Sequence, residues 1–426
     1  MNNNLTVLVG LQWGDEGKGR MVDYLAQNVD IVARYQGGNN AGHTVVNQFG
    51  TFKLHLIPSG IFNDKVINIL GPGMVIDIEA LSEELTELEK SGIDTKNIRI
   101  SDRATITFPF HRLEDNLEEE RLGSAAFGST RRGIAYAYGE RYMKKSIQLG
   151  ELFYPEDLKN RITDLVNWKN TLFKNVYKSS EVLNVENILN WVSIFGDKIK
   201  HLICDTTSIL EKSAASGKKI LFEAQLGSLR DIYFGIYPFT TSSCTLASYA
   251  PVGGGLFNKR IDKVIGVMKS FSSCVGSGPF VTEMPEDEAG QLRETAFEYG
   301  AATGRPRRIG HFDAVATKYG AMIQGVDEIA LTKLDSLSGQ KKLKICTEYD
   351  VEGKLLKNFP LSPALQKAAP VYIEMDGWSE DISGCRKFDE IPDAAQKYVN
   401  KIEELIGYKI KYVSVGPERE SLIIKS

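Results

Sequence analysis

A glycine-rich loop between a strand-like run and a helix-like run is the feature that most constrains the fold of this chain. Residues 5–9 are mostly apolar, and four glycines follow within residues 10–19. Apolar side chains then recur at helical spacing at Met21, Val22 and Leu25. The pattern predicts a strand, a tight turn and a helix whose N-terminus favours an anion.

The rest of the chain repeats this alternation of strands and helices. Amphipathic stretches at residues 81–90 and 392–405 lie between some of the apolar runs, and residues 155–218 are polar with helical periodicity. The alternation predicts an α/β fold around a mostly parallel β-sheet. Because no repeat or proline-rich linker interrupts the sequence, we expect residues 1–426 to form one P-loop-like domain with a helical elaboration at 155–218. The further apolar runs are residues 31–35, 66–70, 219–222, 264–268, 329–331 and 410–413.

Composition excludes several classes of protein. The 426 residues are 42% apolar and 25% charged, as in a soluble globular protein. No apolar run approaches the roughly 20 residues of a membrane helix, and residues 1–6 lack the features of a signal peptide. The net charge of −4 gives no general attraction for nucleic acid. Five cysteines without paired spacing favour a reducing cytoplasm over a disulfide framework or a zinc site.

The loop at residues 14–19, GDEGKG, has the character of a phosphate-binding loop. Its backbone N–H groups and the helix N-terminus suit an anion, and Lys18 adds a point charge. It is not a Walker A loop, since Gln12 stands at the first glycine and Gly19 at the hydroxyl residue of that pattern. Magnesium therefore needs another ligand, and Asp15 is the nearest candidate. The alternative is a tight turn with solvated charges.

A second polar loop, residues 36–44, follows the second predicted strand. Loops at the same ends of parallel strands converge on one crevice, so this loop is expected to face the first. His43 lies among small and polar residues, which suits a general acid near neutral pH. The alternative is a histidine that caps a turn.

Two loops that follow later strands have features of a guanine-binding site. In residues 332–335, TKLD, the Asp335 carboxylate can accept from N1–H and the 2-amino group of guanine, which selects GTP over ATP. The Lys333 stem can cover the base. Residues 414–417, SVGP, can close over the same base through backbone groups. A solvated Lys/Asp pair at a strand end is the alternative.

A third candidate binding element is the loop at residues 300–308, which holds three arginines within four positions. Guanidinium groups bind carboxylates and phosphates bidentately, so the loop can close over a carboxylate substrate. The alternative is a basic surface turn.

Taken together, these loops resemble those of the adenylosuccinate synthetase family. That family consists of ligases that form a C–N bond between L-aspartate and IMP, with GTP and Mg²⁺, to give N6-succinyl-AMP in purine biosynthesis. The resemblance implies a homodimer of α/β domains. The segments that carry it are residues 12–19, 34–38, 40–44, 55–60, 276–280, 300–308, 331–335 and 414–419.

The resemblance also implies roles for individual residues. Asp15 looks like the base that removes the purine N1 proton and, with the backbone of Gly42, a ligand of Mg²⁺. His43 looks like the acid that assists at the phosphoryl group. The implied GTP-binding residues are Gly14, Glu16, Gly17, Lys18, Gly19, Gly42, Thr44, Arg307, Lys333, Asp335, Ser414 and Gly416. The implied IMP-binding residues are Asn40, Thr130, Lys144, Gln225, Thr241 and Arg305, and those for aspartate are Thr303 and Arg305.

Several positions depart from the family pattern near the nucleotide. Leu226 stands where the family has a nucleotide-binding glutamine, and Gln225 comes one place earlier. Since neighbouring side chains in a strand face opposite sides, we expect Gln225 to point elsewhere and Leu226 to present an apolar surface. Lys144 replaces an arginine lent to the partner subunit. Further departures are Asn39, Ala302 and the loop at residues 128–138.

Three interpretations follow from the sequence. The first is adenylosuccinate synthesis from IMP, and the second is the same chemistry on another 6-oxopurine or related nucleotide. The third is a GTP-binding regulatory protein without synthesis. Asp15 and His43 speak against the third, because binding alone needs neither residue.

Overall fold

The elements of the fold are taken from a computed structural model that describes residues 4–40, 42–300 and 304–425. The predictions for Thr303 and Ala302 lie outside the described residues. The strands are Leu5–Gly10 (β1), Ile31–Arg34 (β2), His43–Asn47 (β3), Gly50–Leu54 (β4), Ile67–Leu70 (β5), Val75–Ile76 (β6), Ile98–Ser101 (β7), Thr105–Ile106 (β8), Ile203–Cys204 (β9), Ile220–Gly227 (β10), Lys263–Lys269 (β11), Ser272–Cys274 (β12), Arg308–Gly310 (β13), Phe312–Asp313 (β14), Glu328–Thr332 (β15), Lys342–Val351 (β16), Lys354–Leu356 (β17), Ala368–Asp376 (β18), Ile410–Ser414 (β19) and Leu422–Ile424 (β20). The α-helices are Lys18–Leu25 (α1), Ile78–Lys90 (α2), Pro109–Leu122 (α3), Ile134–Tyr142 (α4), Pro155–Asn175 (α5), Val185–Ile199 (α6), Thr206–Ala215 (α7), Ala250–Gly254 (α8), Glu286–Thr295 (α9), Ala314–Gln324 (α10), Ser362–Leu365 (α11) and Asp393–Ile406 (α12).

A ten-stranded sheet organises these elements in the order β20-β19-β15-β11-β1-β10-β2-β5-β7-β9. Every neighbouring pair is parallel except β19 and β20. The α/β fold around a mostly parallel sheet is therefore confirmed. All the apolar runs singled out in the sequence contribute strands to this sheet. The sequence did not predict β7, β9 and β20, which are two to four residues long and lie at or near the edges.

The sheet is covered on both faces, which explains the unbroken apolar run of β1. Val7 and Val9 are fully buried on one face together with Phe222, and Leu8 is fully buried on the other face together with Met21 of α1. A strand that is buried on both faces has no polar alternation, unlike a strand with one solvated face. None of the described helices is long and apolar enough to span a membrane.

The segment at 155–218 contains α5, α6 and α7, together with the short edge strand β9. A buried charged cluster joins this segment to α3 and α4. The Lys169 ammonium group forms ion pairs with Glu114 and Glu140, and Nε2 of His111 lies 2.8 Å from Oε2 of Glu140. All four side chains are buried. The cluster therefore fixes α4, whose first residues line the cavity described below.

Parallel strands place the candidate loops at one edge of the sheet. The loops after β1, β2, β10, β11, β15 and β19 all begin at the carboxyl ends of strands in the central sheet. Ligands of open α/β sheets bind outside these ends.

Candidate functional site

A cavity of about 500 Å³ opens at this edge of the sheet. The loops after β1, β2 and β10 contribute to its wall, as does the start of α4. Among its lining residues are Trp13, Asp15, Asn40, Gly42, Thr130, Leu226 and Thr241. The structure therefore brings together five residues for which the sequence predicts catalytic, metal or nucleotide roles: Asp15, Asn40, Gly42, Thr130 and Thr241.

A larger cavity, of about 620 Å³, shares Phe239 with the first. None of the described residues that line it is charged. The predicted catalytic, metal and nucleotide residues named above line the smaller cavity and not the larger one.

The phosphate loop is shaped from within by Glu16. This fully buried carboxylate accepts hydrogen bonds from the backbone N–H of Gln12 (3.1 Å) and of Gly14 (2.9 Å), and it pairs with the Lys18 ammonium group. A Cβ atom at Gly10 would lie 2.3 Å from Glu16, which explains why glycine is needed there. Glu16 therefore sets the loop conformation and the position of Lys18, whereas the sequence predicts that it contacts GTP.

Asp15 projects from the same loop towards the cavity. Its φ of 58° is in the left-handed region, which is unfavourable for residues other than glycine. The carboxylate keeps about a quarter of its surface exposed, and its Oδ2 atom lies 3.0 Å from Nη2 of Arg307. Asp15 is therefore held in an uncommon backbone conformation that places a charged oxygen between the phosphate loop and the cavity.

His43 begins the β3–β4 hairpin and lies beside the phosphate loop. Its imidazole packs so closely against Gly19 that a Cβ atom there would lie 3.0 Å from the ring. Nε2 is 3.4 Å from Oε1 of Glu223, and it has no hydrogen-bond partner among the residues that the structure describes. Burial, together with the charges of Arg34 and Lys18, lowers the pKa of His43 well below its usual value. His43 therefore lies beside the phosphate loop with a buried ring nitrogen that is left unpaired.

Glu223 is a residue of this site that sequence reasoning did not single out. It is almost completely buried and accepts hydrogen bonds from both N–H and Oγ–H of Ser59, each 2.9 Å long. Burial raises the pKa of Glu223, although the Arg34 charge opposes the shift. Residues 55–60 are among the segments that resemble the family, but only the fold shows that Ser59 and Glu223 meet beside His43.

The two predicted guanine-binding loops contact each other. The backbone N–H of Leu334 donates to the Ser414 carbonyl (3.3 Å), and the Ser414 hydroxyl donates to the Gly416 carbonyl (3.0 Å). Lys333 has a φ of 62°, and its ammonium group donates to the Ala296 carbonyl. The loops after β15 and β19 therefore form one surface at the end of the sheet.

Asp335 lies in this surface close to charged groups. Burial raises the pKa of its carboxyl group, while the charges of Lys333 and Arg20 act in the opposite direction. Arg20 is held by the Glu418 carbonyl, which accepts from its Nε and Nη2 atoms. Arg20 was not among the predicted site residues, because an arginine within a helix has no local signal that distinguishes it.

Thr332 links the guanine-binding surface to the phosphate loop. Its hydroxyl donates to the Glu16 carbonyl (2.6 Å) and also lies 3.1 Å from the Met268 carbonyl. Residues 332–335 resemble the Asn-Lys-x-Asp element of GTP-binding proteins, with Thr332 in place of the asparagine. The Thr332 hydroxyl here joins the strand end to the phosphate loop.

We expect Thr332→Val to lower the free energy of unfolding by about 1–2 kcal/mol, because the buried Glu16 carbonyl loses the hydroxyl that donates to it while the side-chain shape is kept. Chemical denaturation measures the difference. Thr347→Val, in β16 of a separate sheet, is the matched control. A Thr332→Val protein as stable as the unmodified one would contradict the assigned bond.

The end of β10 departs from regular strand geometry beside the cavity. Glu223 pairs with Leu8 and Gly227 with Gly10, so β10 uses two more residues than β1 over this interval. Leu226 lies in this bulge with a φ of 61°, and its side chain lines the cavity.

Gln225 points elsewhere. Its side-chain oxygen accepts from the Gly38 N–H (2.9 Å), and its Nε2 donates to the Gly38 carbonyl (2.9 Å) and to Oδ1 of Asn40 (3.2 Å). Gln225 thus supports the loop that carries Asn40, whereas Leu226 faces the ligand space.

The other predicted residues lie outside the cavity wall. Lys144, at the end of α4, is exposed and has a φ of 62°. Arg305 is exposed, and its carbonyl accepts from the Gly300 N–H (2.8 Å), which closes the arginine loop on itself. Thr44 is an exposed residue of the β3–β4 hairpin. The structure does not place these three side chains on the cavity.

Comparison with known proteins agrees with this arrangement over the whole chain. A profile of the adenylosuccinate synthetase family matches residues 7–423. Adenylosuccinate synthetase 2 of Pseudoalteromonas translucida (strain TAC 125) is 53% identical over 420 residues, which cover 98% of this chain and 99% of that protein. Adenylosuccinate synthetase of Thermoanaerobacter sp. (strain X514) is 46% identical over 419 residues, which cover 98% of both chains.

Two solved structures are similar in fold. The fully ligated adenylosuccinate synthetase from Plasmodium falciparum matches with a TM-score of 0.93 and 36% identity, over 99% of this chain and all of that chain. The succinoaminodeoxyadenylate synthetase of cyanophage S-2L, bound to dGMP and dATP, matches with a TM-score of 0.59 over 99% of this chain and 95% of that chain. At 20% identity, the second match shows a likeness of fold alone.

Proposed function

The chain belongs to the adenylosuccinate synthetase family, and we propose that Asp15 and His43 carry out the chemistry of that family in this protein. The enzyme is a ligase that forms a C–N bond at the expense of GTP. With IMP and L-aspartate as substrates, the products are N6-succinyl-AMP, GDP and phosphate. The observation that carries the residue assignment is the Asp15 carboxylate, which lies between the phosphate loop and the nucleotide cavity.

Asp15 acts first, as the base that accepts the N1 proton of the 6-oxopurine. Loss of this proton places negative charge on O6, which attacks the γ-phosphorus of GTP, and the bond to GDP breaks. Oxide is a poor leaving group from C6, whereas phosphate is a good one. The exposed part of the Asp15 carboxylate faces the cavity, as a base that meets the substrate requires.

His43 acts at the phosphoryl group. Its imidazole is proposed to donate a hydrogen bond through a ring N–H to a phosphoryl oxygen, where negative charge develops. Glu223, 3.4 Å from Nε2, keeps the ring oriented. The amine of aspartate then attacks C6, the C–O bond to phosphate breaks, and a proton is lost from the new C–N nitrogen. Thr303 and Arg305 of the arginine loop are proposed to hold the aspartate carboxylates.

Magnesium fits the donors near Asp15. Within the described parts of the chain, no group of three His, Cys, Asp or Glu side chains is arranged to hold a metal ion. Mg²⁺ is commonly bound by one or two carboxylates together with substrate phosphates, so the Asp15 carboxylate and the Gly42 carbonyl suit this arrangement. When bound, Mg²⁺ would neutralise charge on the phosphates of GTP.

GTP is proposed to lie along the edge of the sheet from the phosphate loop to the guanine-binding surface. Gly14, Gly17 and Gly19 offer backbone N–H groups, and Lys18 offers its charge. Asp335 is proposed to pair with guanine, with Lys333, Ser414 and Gly416 around the base. The bond from Thr332 to Glu16 supports a fixed distance between base and phosphates.

The partner subunit and the compartment are further parts of the proposal. Lys144 is exposed just after α4, and it is proposed to reach the phosphate of a nucleotide bound by a second copy of the chain. All five cysteines are free, which supports a reducing cytoplasm. We therefore propose a cytoplasmic homodimer.

A second candidate substrate is favoured by Leu226. Its side chain lines the cavity where the family has a glutamine, so a polar edge of IMP would lack a partner there. A different 6-oxopurine nucleotide, with an apolar or differently substituted edge, would lose less. Assays of a panel of purine nucleotides with GTP, aspartate and Mg²⁺, with the products identified by mass, decide between the substrates. Absence of any succinylated product would contradict the proposed function.

We expect Leu226→Gln to raise kcat/KM for IMP about tenfold, because a buried polar group regains a partner worth ~1–3 kcal/mol. This single change is cleaner than replacing residues 224–226 together, since Gln225 holds Gly38 and Asn40. Leu355→Gln, on the exposed strand β17, is the control. An unchanged kcat/KM, with KM for IMP already in the micromolar range typical of enzymes, would establish that IMP is the substrate and Leu226 a tolerated variation.

A further inference from the structure

A fully buried ion pair lies behind Arg307 and takes no part in the chemistry described above. Lys269, at the end of β11, and Glu298, at the base of the arginine loop, have no exposed surface. Their charged groups are 3.0 Å apart, and the Ser273 hydroxyl donates to the same Glu298 oxygen at 2.9 Å. The charges of Lys269 and Arg307 outweigh the effect of burial and lower the pKa of Glu298 to about 2.

Arg307 connects this buried pair to Asp15. Its Nη1 atom lies 2.8 Å from Oε2 of Glu298, and its Nη2 atom lies 3.0 Å from Oδ2 of Asp15. The guanidinium group therefore divides its hydrogen bonds between two carboxylates. One of them is buried, and the other faces the cavity.

Two buried atoms in this arrangement, Nε of Arg307 and Oε1 of Glu298, have no hydrogen-bond partner within the described part of the chain. Unpaired buried donors and acceptors cost free energy, and a second arrangement that pairs these two atoms would recover it. In that second arrangement Arg307 would bind Glu298 through two nitrogens and release Asp15.

We infer that Glu298, held by Lys269, is a positioning residue that draws Arg307 away from Asp15 when Mg²⁺ binds there. This inference rests on the proposed role of Asp15 as a magnesium ligand. Arg307 and Mg²⁺ compete for the Asp15 carboxylate. When Mg²⁺ binds, Glu298 remains as an acceptor for the buried guanidinium group, which therefore keeps a charged partner. The equilibrium between Arg307 paired with Asp15 and Arg307 paired with Glu298 then sets the concentration of Mg²⁺ that is needed for nucleotide binding.

The charge balance of the four groups makes this inference testable. Glu298→Gln removes the alternative partner but also adds one unit of positive charge near Asp15, which itself repels Mg²⁺. The double variant Lys269→Met/Glu298→Gln keeps the net charge and the side-chain lengths. Because both charges of the buried Lys269–Glu298 pair are removed together, neither is left buried without its partner, and we expect the double variant to fold. The double variant therefore isolates the competition for Arg307 from the change in electrostatic potential.

The experiment measures binding of the non-hydrolysable analogue guanosine 5′-(β,γ-imido)triphosphate by calorimetry over a range of Mg²⁺ concentrations. We expect the Mg²⁺ concentration for half-maximal binding to rise about tenfold in the double variant, because Arg307 is left with Asp15 as its one charged acceptor. At saturating Mg²⁺, kcat is expected to stay within about twofold of the unmodified enzyme, since Asp15 and His43 are unchanged.

Lys263→Met/Glu328→Gln, which also keeps the net charge, is the matched control. Glu328 also pairs with two lysines, Lys263 at 3.0 Å and Lys411 at 2.9 Å. It lies at the amino end of β15, whereas Lys269 lies at the carboxyl end of the neighbouring strand β11. The Mg²⁺ midpoint of this control should equal that of the unmodified protein. A double variant with an unchanged midpoint, or with a low kcat at every Mg²⁺ concentration, would overturn the inference. If the unmodified protein bound the analogue equally well without Mg²⁺, the proposed metal role of Asp15 would fail together with it.

Discussion

Asp15→Asn and His43→Ala are each expected to lower turnover by ~10²–10⁴-fold while GTP still binds at saturating Mg²⁺. Asparagine cannot accept the N1 proton, and alanine cannot donate to the phosphoryl group. The backbone N–H groups of the phosphate loop and the guanine-binding surface are unchanged in both variants. Steady-state rates with IMP, aspartate and Mg²⁺-GTP, together with GTP binding by equilibrium dialysis, test the expectation.

Two controls separate catalysis from general damage. Asp30→Asn changes a carboxylate that precedes β2, and His201→Ala changes an exposed histidine shortly before β9. Both lie at the amino ends of strands, away from the cavity. Near-normal turnover of Asp15→Asn or His43→Ala would show that the catalytic assignment is wrong.

Asp335→Asn is expected to lower kcat/KM for GTP about 100-fold and to make xanthosine triphosphate the preferred donor. In the proposed pairing the carboxylate accepts two hydrogen bonds from guanine, whereas an amide can accept one and donate one. The 2-oxo group of xanthine accepts the donated bond, so the pairing is restored with the other base. Assays of GTP, xanthosine triphosphate and ATP with both proteins measure the change.

Asp327→Asn serves as the control for this change of donor, because Asp327 lies just before the opposite end of the same strand, β15, and accepts from the Val264 N–H. It should leave the order of donors unaltered. Equal use of ATP and GTP by the unmodified protein would refute the selective role of Asp335.

The sequence predicted the fold and the meeting of the loops for a reason that the structure makes clear. The candidate loops other than the arginine loop follow strands that are mostly apolar, and strands buried on both faces belong to parallel sheets. Parallel strands bring their carboxyl ends together, so Asp15 of the loop after β1 lines the same cavity as Asn40 and Gly42 of the loop after β2. This inference needs the strand pattern alone.

Other parts of the site leave no mark in the local sequence. Glu298 and Lys269 are 29 residues apart, and neither stands in a recognisable motif. The family resemblance implies that Glu16 binds GTP. The structure turns it inward, since the glycines at positions 10 and 227 leave room for its carboxylate. Such contacts depend on long-range packing, which periodicity does not encode.

The position of β1 in the middle of the sheet has a consequence for how the protein is made. Its neighbours are β10 and β11, whose pairing residues begin at Ile220 and Lys263, more than two hundred residues later in the chain. At a synthesis rate of about 5–20 residues per second, β1 waits roughly 10–40 s on the ribosome with both edges unpaired. The phosphate loop is thus among the first segments to be synthesised and among the last to reach its final form. Until β11 emerges, the nascent chain exposes an apolar strand that is prone to aggregate. The nucleotide-binding site is not yet formed during this time.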